Sequence, residues 1–220
     1  MITLHALDQS RAFRIVWLLE ILEIPYTLQR YPRDPDTLRA PEALRAIHPL
    51  GKAPVLEDGD LTLTESGAIV DYLITRYGNG SLMPARDTPD YWHYQRWLHY
   101  PEASLMPLLL VSLIFRRVRD APMPFFVRPF ASGIASKVEH NFTHPQLTLH
   151  LTHINNTLNN QNWLIGDNLS GADIMMSYPL IAAESRTDLA PYANIRRYLQ
   201  QIQTHPAWQQ ALEKAGSPVL

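Results

Sequence analysis

From Ile2 to Leu7 the chain alternates apolar and other side chains, the period-two pattern of a strand. Asp8, Gln9 and Ser10 follow as turn and capping types, and Ala12, Phe13, Ile15, Val16, Leu18, Leu19 and Leu22 then recur at helical spacing. Residues 25–31 read as a second strand. The proline- and charge-rich stretch 32–41 reads as an exposed loop leading into a short helix over 41–47. Two short runs within 55–64 flank the acidic, glycine-containing turn Glu57-Asp58-Gly59-Asp60 and predict a hairpin. Ile69, Val70, Leu73 and Tyr77 restore helical spacing over 66–77, so the order predicted for the first part is βαβαββα.

Gly78-Asn79-Gly80-Ser81, with Pro84 and the polar residues up to Pro89, breaks this pattern and predicts a linker over 79–89 between a first domain at 1–78 and a second at 90–220. Strand signals almost vanish beyond it. Helical periodicity covers 91–100, 104–119, 129–142, 147–159, 172–183 and 195–205, without an internal repeat. The predicted fold is an α/β domain followed by an all-helical bundle. At 220 residues such a chain buries roughly 70% of its unfolded surface, enough for a core without covalent staples.

Composition narrows the chemistry. With no cysteine, a disulfide, a thiolate metal site, a CxxC redox pair and a cysteine nucleophile are all excluded, and any thiol must arrive with a ligand. The net charge of −2, from 19 basic and 21 acidic residues, gives no footprint for nucleic acid or anionic lipid. Apolar runs such as 15–19 and 105–110 fall short of a membrane span, and the first residues lack a basic region followed by an apolar stretch; the reading is an intracellular, cytoplasmic protein with no membrane partner. Nine histidines include the pairs His140/His144 and His150/His153 at same-face spacing. No HExxH or supporting carboxylate set accompanies them, and no metal is expected.

Three positions carry candidate chemistry. Pro54, after Ala53, belongs at a strand entry or tight turn, with a cis or an ordinary trans bond. Ser66, after Glu65, opens a helix where it either caps the backbone or joins the free amides in attracting an anion. Ser10, between the first strand and helix, is a cap by composition and equally a hydroxyl at the positive end of a helix.

Gly51-Lys52-Ala53-Pro54-Val55-Leu56 and, eleven residues after Pro54, Glu65-Ser66-Gly67-Ala68-Ile69 make the chain resemble the cytosolic glutathione transferases. The stretch Leu7 to Glu20 is similar to the serine-using bacterial and fungal branch of that family. Ser170-Gly171-Ala172-Asp173, following Trp163-Leu164-Ile165-Gly166-Asp167, extends the resemblance into the helical half. Here Ser170 and Asp173 also read as a capping box, with Leu169 and Ile174 as a staple; losing Asp173 from such a box costs about 1 kcal/mol.

The resemblance implies a thioredoxin-like first domain in which a cis Pro54 turns the Ala53 backbone toward a bound thiol peptide. Glutathione is then the co-substrate: Glu65 meets its amino group, Ser66 its α-carboxylate, and Lys52 its glycyl end, with His48 and Arg45 as further candidates there and Arg11 within reach of the ligand. Ser10 becomes the catalytic residue. A free thiol with pKa about 8.5 is mostly protonated at neutral pH, and a hydroxyl donating to sulfur stabilises the thiolate. Arg14 is expected on a solvated helix face. Tyr100, Leu105, Met106 and Leu109 are expected to wall an apolar, electrophilic second substrate, with core packing the competing role for Met106 and Leu109, and Glu102 to approach glutathione across a homodimer interface. Two other functions share the fold: a non-catalytic binding or regulatory module, and a glutathione-dependent peroxidase. The absence of cysteine disfavours the branches that form a protein mixed disulfide.

Overall fold

The computed structural model describes residues 1–219. Its first domain runs β1 (Ile2–Leu7), α1 (Phe13–Ile21), β2 (Tyr26–Tyr31), α2 (Glu42–Ile47), β3 (Val55–Asp58), β4 (Leu61–Thr64) and α3 (Ser66–Tyr77), the predicted βαβαββα order. The sheet has strand order β2-β1-β3-β4; β1 pairs parallel to β2, and the other neighbours are antiparallel. Leu4 sits opposite both Leu28 and Leu56, which fixes the register on apolar residues.

The helical domain contains α4 (Pro89–Tyr100), α5 (Met106–Asp120), α6 (Arg128–Val138), α7 (His144–Thr157), α8 (Gly171–Glu184), α9 (Ala193–Gln203) and α10 (Pro206–Ala215). The last of these lies beyond the helices predicted from periodicity. Its signal is present in the sequence, since His205 precedes Pro206 and Ala207, Trp208 and Ala211 are the buried face. The His205 ring nitrogen Nδ1 accepts from the Ala207 amide at 3.2 Å and so caps the helix.

Two predicted helix boundaries do not interrupt the chain axis. A π-helical turn at Pro101–Leu105 joins α4 to α5, and another at Glu139–Thr143 joins α6 to α7. Proline lacks an amide hydrogen, and the helix accommodates Pro101 by widening to a bond from the Met106 amide to the Pro101 carbonyl. The joined helix Pro89–Asp120 is 32 residues long and, by length and composition, apolar enough to span a bilayer. One side of it, with Tyr94, Trp97, Leu98, Leu105 and Leu109, is in the core, whereas Leu110, Ile114 and Val118 are exposed.

Helix α1 is buried nearly all round, from Phe13 to Leu19, because it lies between the sheet and the helical domain, where it contacts α8 and α10. Trp208 of α10 packs against Phe13 and Trp17 at ring-centroid distances of 4.6 and 5.1 Å. Gly171, the first residue of α8, sits so close to α3 and α4 that a Cβ there would lie 2.6 Å from Ile74 Cδ1 and from the Tyr94 hydroxyl. A side chain at this position would push the two domains apart.

Candidate active site

At the carboxyl end of β1 the chain turns into α1 through Ser10. Its Oγ donates to the Leu7 carbonyl at 2.6 Å and accepts from the Ala12 amide at 3.2 Å, a local turn-closing arrangement of the capping type. The residue is 7% exposed, and it lines a cleft of about 440 Å³ together with Arg11, Arg33, Gly51, Lys52 and Tyr178. The cleft floor is therefore the β1–α1 turn, and Tyr178 of α8 is part of its far wall.

The Ala53–Pro54 peptide bond is cis, at the entry to β3. Gly51 has φ +55, and a Cβ there would lie 2.6 Å from the Arg45 Cγ, so the turn before Lys52 requires glycine. After the hairpin, Glu65 holds φ 68 and ψ 119, a strained conformation for a residue with a side chain. The strain brings α3 in directly behind it: the Ile69 amide bonds the Glu65 carbonyl at 3.0 Å.

Ser66 does not cap this helix. It is the first helical residue, 3% exposed, and its Oγ has no hydrogen-bond partner among the described residues. A buried hydroxyl left unpaired costs about 1–3 kcal/mol, which a ligand's acceptor or donor would recover. The His48 Nδ1 is likewise buried and unpartnered. Both residues line a second recess of about 280 Å³ with Lys52, Ala53, Pro54 and Glu65; Arg11, Lys52 and Ala53 belong to this recess and to the Ser10 cleft at once. The two spaces are one groove, with the start of α3 at one end and Ser10 at the other. Free amides at a helix start, Lys52 and Arg11 favour an anion there, while Glu65 supplies the complementary site for a cation.

The arginines beside the groove have unequal roles. Arg14 is fully buried, which corrects its expected solvated position: Nη1 donates to the Met175 carbonyl at 2.9 Å and Nη2 to Glu102 Oε1. Burial pushes its pKa below the ordinary arginine value, and the Glu102 carboxylate opposes that fall. Arg11 is partly exposed and bonds the other Glu102 oxygen at 2.5 Å. Glu102 is thus held within its own chain, between two arginines of the α1 region, where the sequence reading assigned it to a neighbouring subunit's ligand.

The four residues expected to wall a second substrate do not border the groove. Leu105 and Leu109 are fully buried in the core, Met106 is nearly so, and the Tyr100 hydroxyl bonds His150 Nδ1; none of the four lines the groove. The expectation came from the resemblance, and here the π turn at Pro101–Leu105 carries α4 into α5 with Leu105 and Leu109 on the buried side. The residues that do continue the groove are Leu113, Arg116 and Arg117 on α5, Tyr178 on α8 and Arg186 just after it, around a cavity that shares Arg33, Leu38 and Tyr178 with the Ser10 cleft. No local motif marks these positions, since they come from three separate segments.

Of the two histidine pairs, His150/His153 has packing partners: His153 stacks on Trp97 at 5.3 Å, and His150 holds Tyr100. Asp173 is fully buried and accepts from the amides of Leu164 and Ser170, both at 2.9 Å, from Ser170 Oγ at 2.7 Å and from the Tyr198 hydroxyl at 2.9 Å. It ties three segments together, a larger role than capping.

The profile described as "Glutathione S-transferase, N-terminal domain" matches residues 10–76, and "Glutathione S-transferase, C-terminal domain" matches residues 120–215. Glutathione S-transferase 3 of Schizosaccharomyces pombe is 36% identical over 100% of this chain and 90% of its own length. The disulfide-bond oxidoreductase YfcG of Escherichia coli is 30% identical over 98% and 96% of the two chains. A crystal structure of a glutathione S-transferase from Actinobacillus pleuropneumoniae superimposes with a TM-score of 0.81 at 40% identity, covering 99% of this chain and 94% of that one.

Proposed function

Because the chain belongs to the glutathione S-transferase family, we propose that it binds glutathione in the groove between α3 and Ser10 and transfers the glutathione sulfur to an electrophilic small molecule. The observation that carries this reading is the unpartnered, buried Ser66 hydroxyl at the start of α3. Ser66 and the first amides of α3 receive the α-carboxylate of the γ-glutamyl group, Glu65 receives its amino group, and Lys52, with His48, meets the glycyl carboxylate. Ala53 and Pro54 lie midway, which directs the cysteinyl sulfur toward Ser10.

Ser10 then acts by a short rotation of its O–H from the Leu7 carbonyl onto the sulfur, exchanging one hydrogen bond for another. A charge-assisted bond of this kind lowers the thiol pKa, and each unit corresponds to about 1.4 kcal/mol. The thiol proton leaves to solvent. The thiolate forms a carbon–sulfur bond with the second substrate as the leaving group departs with its electron pair, and holding both reactants in one groove supplies the remaining acceleration.

A second reading is supported by the full-length relative YfcG. With no cysteine in the chain, disulfide exchange would run between sulfurs of the ligands alone, the glutathione thiolate displacing one sulfur of a bound disulfide. A homodimer is supported by the exposed Leu110, Ile114 and Val118 on α5 beside Phe130 and Ile134 on α6, an apolar surface suited to a second copy.

Glutathione titration combined with turnover of chlorodinitrobenzene, on the native protein and on Ser10→Ala, tests the main reading. Binding in both, with turnover lost in the variant, is the expected result. A native protein that neither binds glutathione nor turns over would leave a binding module of this fold, and turnover of a mixed disulfide in place of the aryl halide would favour the second reading.

A further inference from the structure

The cavity that extends the groove past Ser10 has a volume of about 530 Å³, within the range of about 300–1,000 Å³ usual for small-ligand sites. Among the described residues its lining carries four guanidinium groups, those of Arg33, Arg116, Arg117 and Arg186, and one carboxylate, that of Asp120. Asp120 is itself 3.5 Å from the Arg119 Nε, an arginine outside the lining. The cavity is therefore strongly positive, in a chain whose net charge is −2.

Arginine in the last turn of α5 has an ordinary explanation in the helix dipole, and this covers Arg117. It does not cover Arg33, in the loop after β2, or Arg186, after the end of α8. Those two are held in place by neutral carbonyls: Arg33 donates to Asp8, Gln9 and Leu38 at 3.0, 3.0 and 2.9 Å, and Arg186 to Leu109 at 3.3 Å. Arg116 donates to the Ser185 carbonyl at 3.2 Å. Arg117 has no hydrogen-bond or ion-pair partner among the described residues. Carbonyl anchors fix the side chains without neutralising them, and among the described residues only Asp120 in the lining and Asp8 beside Arg33 set a carboxylate against the four charges. Burial pushes the pKa of Arg33 and of Arg186 downward; Tyr178 opposes the fall at both and Asp8 at Arg33, while Arg117 adds repulsion at Arg33, and Arg116 and Arg117 add it at Arg186. An anion in the cavity would relieve this repulsion, and an apolar molecule would not.

We infer that the second substrate of this chain is a carboxylate-bearing electrophile, its carboxylate held among Arg116, Arg117 and Arg186 and its reactive carbon directed past Tyr178 toward Ser10. The inference rests on the glutathione-transfer reading and replaces the apolar co-substrate expected from the sequence. A carboxylate presents two oxygens to the guanidinium fork, and the apolar faces of Leu38 and Leu113 accommodate the rest of the molecule. In the reaction with an aryl chloride, the glutathione sulfur bonds the ring carbon, the carbon–chlorine bond breaks, and chloride leaves with the electron pair. The thiol proton passes to solvent.

The test compares chloronitrobenzoate with the neutral chloronitrobenzamide of nearly the same shape. Each is titrated calorimetrically into the native protein, Arg117→Gln and Arg117→Lys, and each is assayed for conjugation with glutathione. The benzoate is expected to bind the native protein about tenfold more tightly than the amide, the scale of one charge-assisted contact, and the preference should shrink with added salt. Arg117→Gln should lose most of the preference and Arg117→Lys keep most of it. An amide that binds as well as the benzoate overturns the inference, and with glutathione still bound and the amide conjugated, the transferase reading stands without it. A benzoate preference in a protein that fails to bind glutathione supports the anion site and removes the transferase reading instead.

Discussion

Arg14 supplies the hydrogen bond that Pro179 withholds. In an uninterrupted helix the carbonyl of Met175 would accept from the amide of residue 179; proline has none, and Nη1 of Arg14, from the other domain, donates to that carbonyl at 2.9 Å. The second arm of the same guanidinium holds Glu102. One buried side chain thereby joins α1, α8 and the π turn.

Arg14→Met, which keeps the volume and removes both arms, should destabilise the protein by about 3 kcal/mol in urea unfolding, because a carboxylate and a carbonyl are left behind in the domain interface. The proline dependence gives a sharper check. In a Pro179→Ala background the helical donor returns, so the cost of Arg14→Met should fall by about 1 kcal/mol. Additive effects in that cycle would show that Arg14 works through Glu102 alone.

Ser66→Ala should weaken glutathione about tenfold while leaving the melting temperature unchanged or slightly raised, since the variant removes a buried hydroxyl that has no partner in the fold. Calorimetry and thermal unfolding on the same sample separate the two effects. A marked loss of stability with affinity intact would make Ser66 a structural residue.

Asp173→Ala strands the amides of Leu164 and Ser170 and the hydroxyls of Ser170 and Tyr198 in a fully buried site. The expected cost is about 3–5 kcal/mol, well above the 1 kcal/mol of an ordinary cap, and equilibrium unfolding would measure it. A cost near the capping figure would mean that water replaces the lost acceptor.

His150 gives stability a pH dependence of definite sign. Burial pushes the Tyr100 hydroxyl up to about 12, so it stays protonated and donates to a neutral His150 Nδ1. Burial, with His153 nearby, sets the His150 pKa below the ordinary 6.5. Between those two values the unfolded chain binds the extra proton, so stability is full above pH 6.5 and declines as pH falls below it. His205, also lowered by burial, adds a slope of the same sign. His150→Gln should therefore reduce the decline measured between pH 7 and about 5.5 without abolishing it. An unchanged slope would assign the whole effect to other groups.

Sequence alone determined what depends on neighbours along the chain. The period-two runs and helical spacings produced the βαβαββα order, because each element buries one apolar face and its pattern is local. The segments around Ala53-Pro54 and Glu65-Ser66 were legible for the same reason: a turn, a hairpin and a helix start lie within sixteen residues of Gly51. Tertiary structure decided what distant segments do together. Arg14 reads as a surface arginine until α8 closes over it, and Leu105 reads as a cleft wall until the packed helices bury it in the core. The four arginines beyond Ser10 come from positions as far apart as 33 and 186, and no periodicity couples them. Charge and burial at that cavity are properties of the packed domains, because only the folded chain brings these groups close enough to repel.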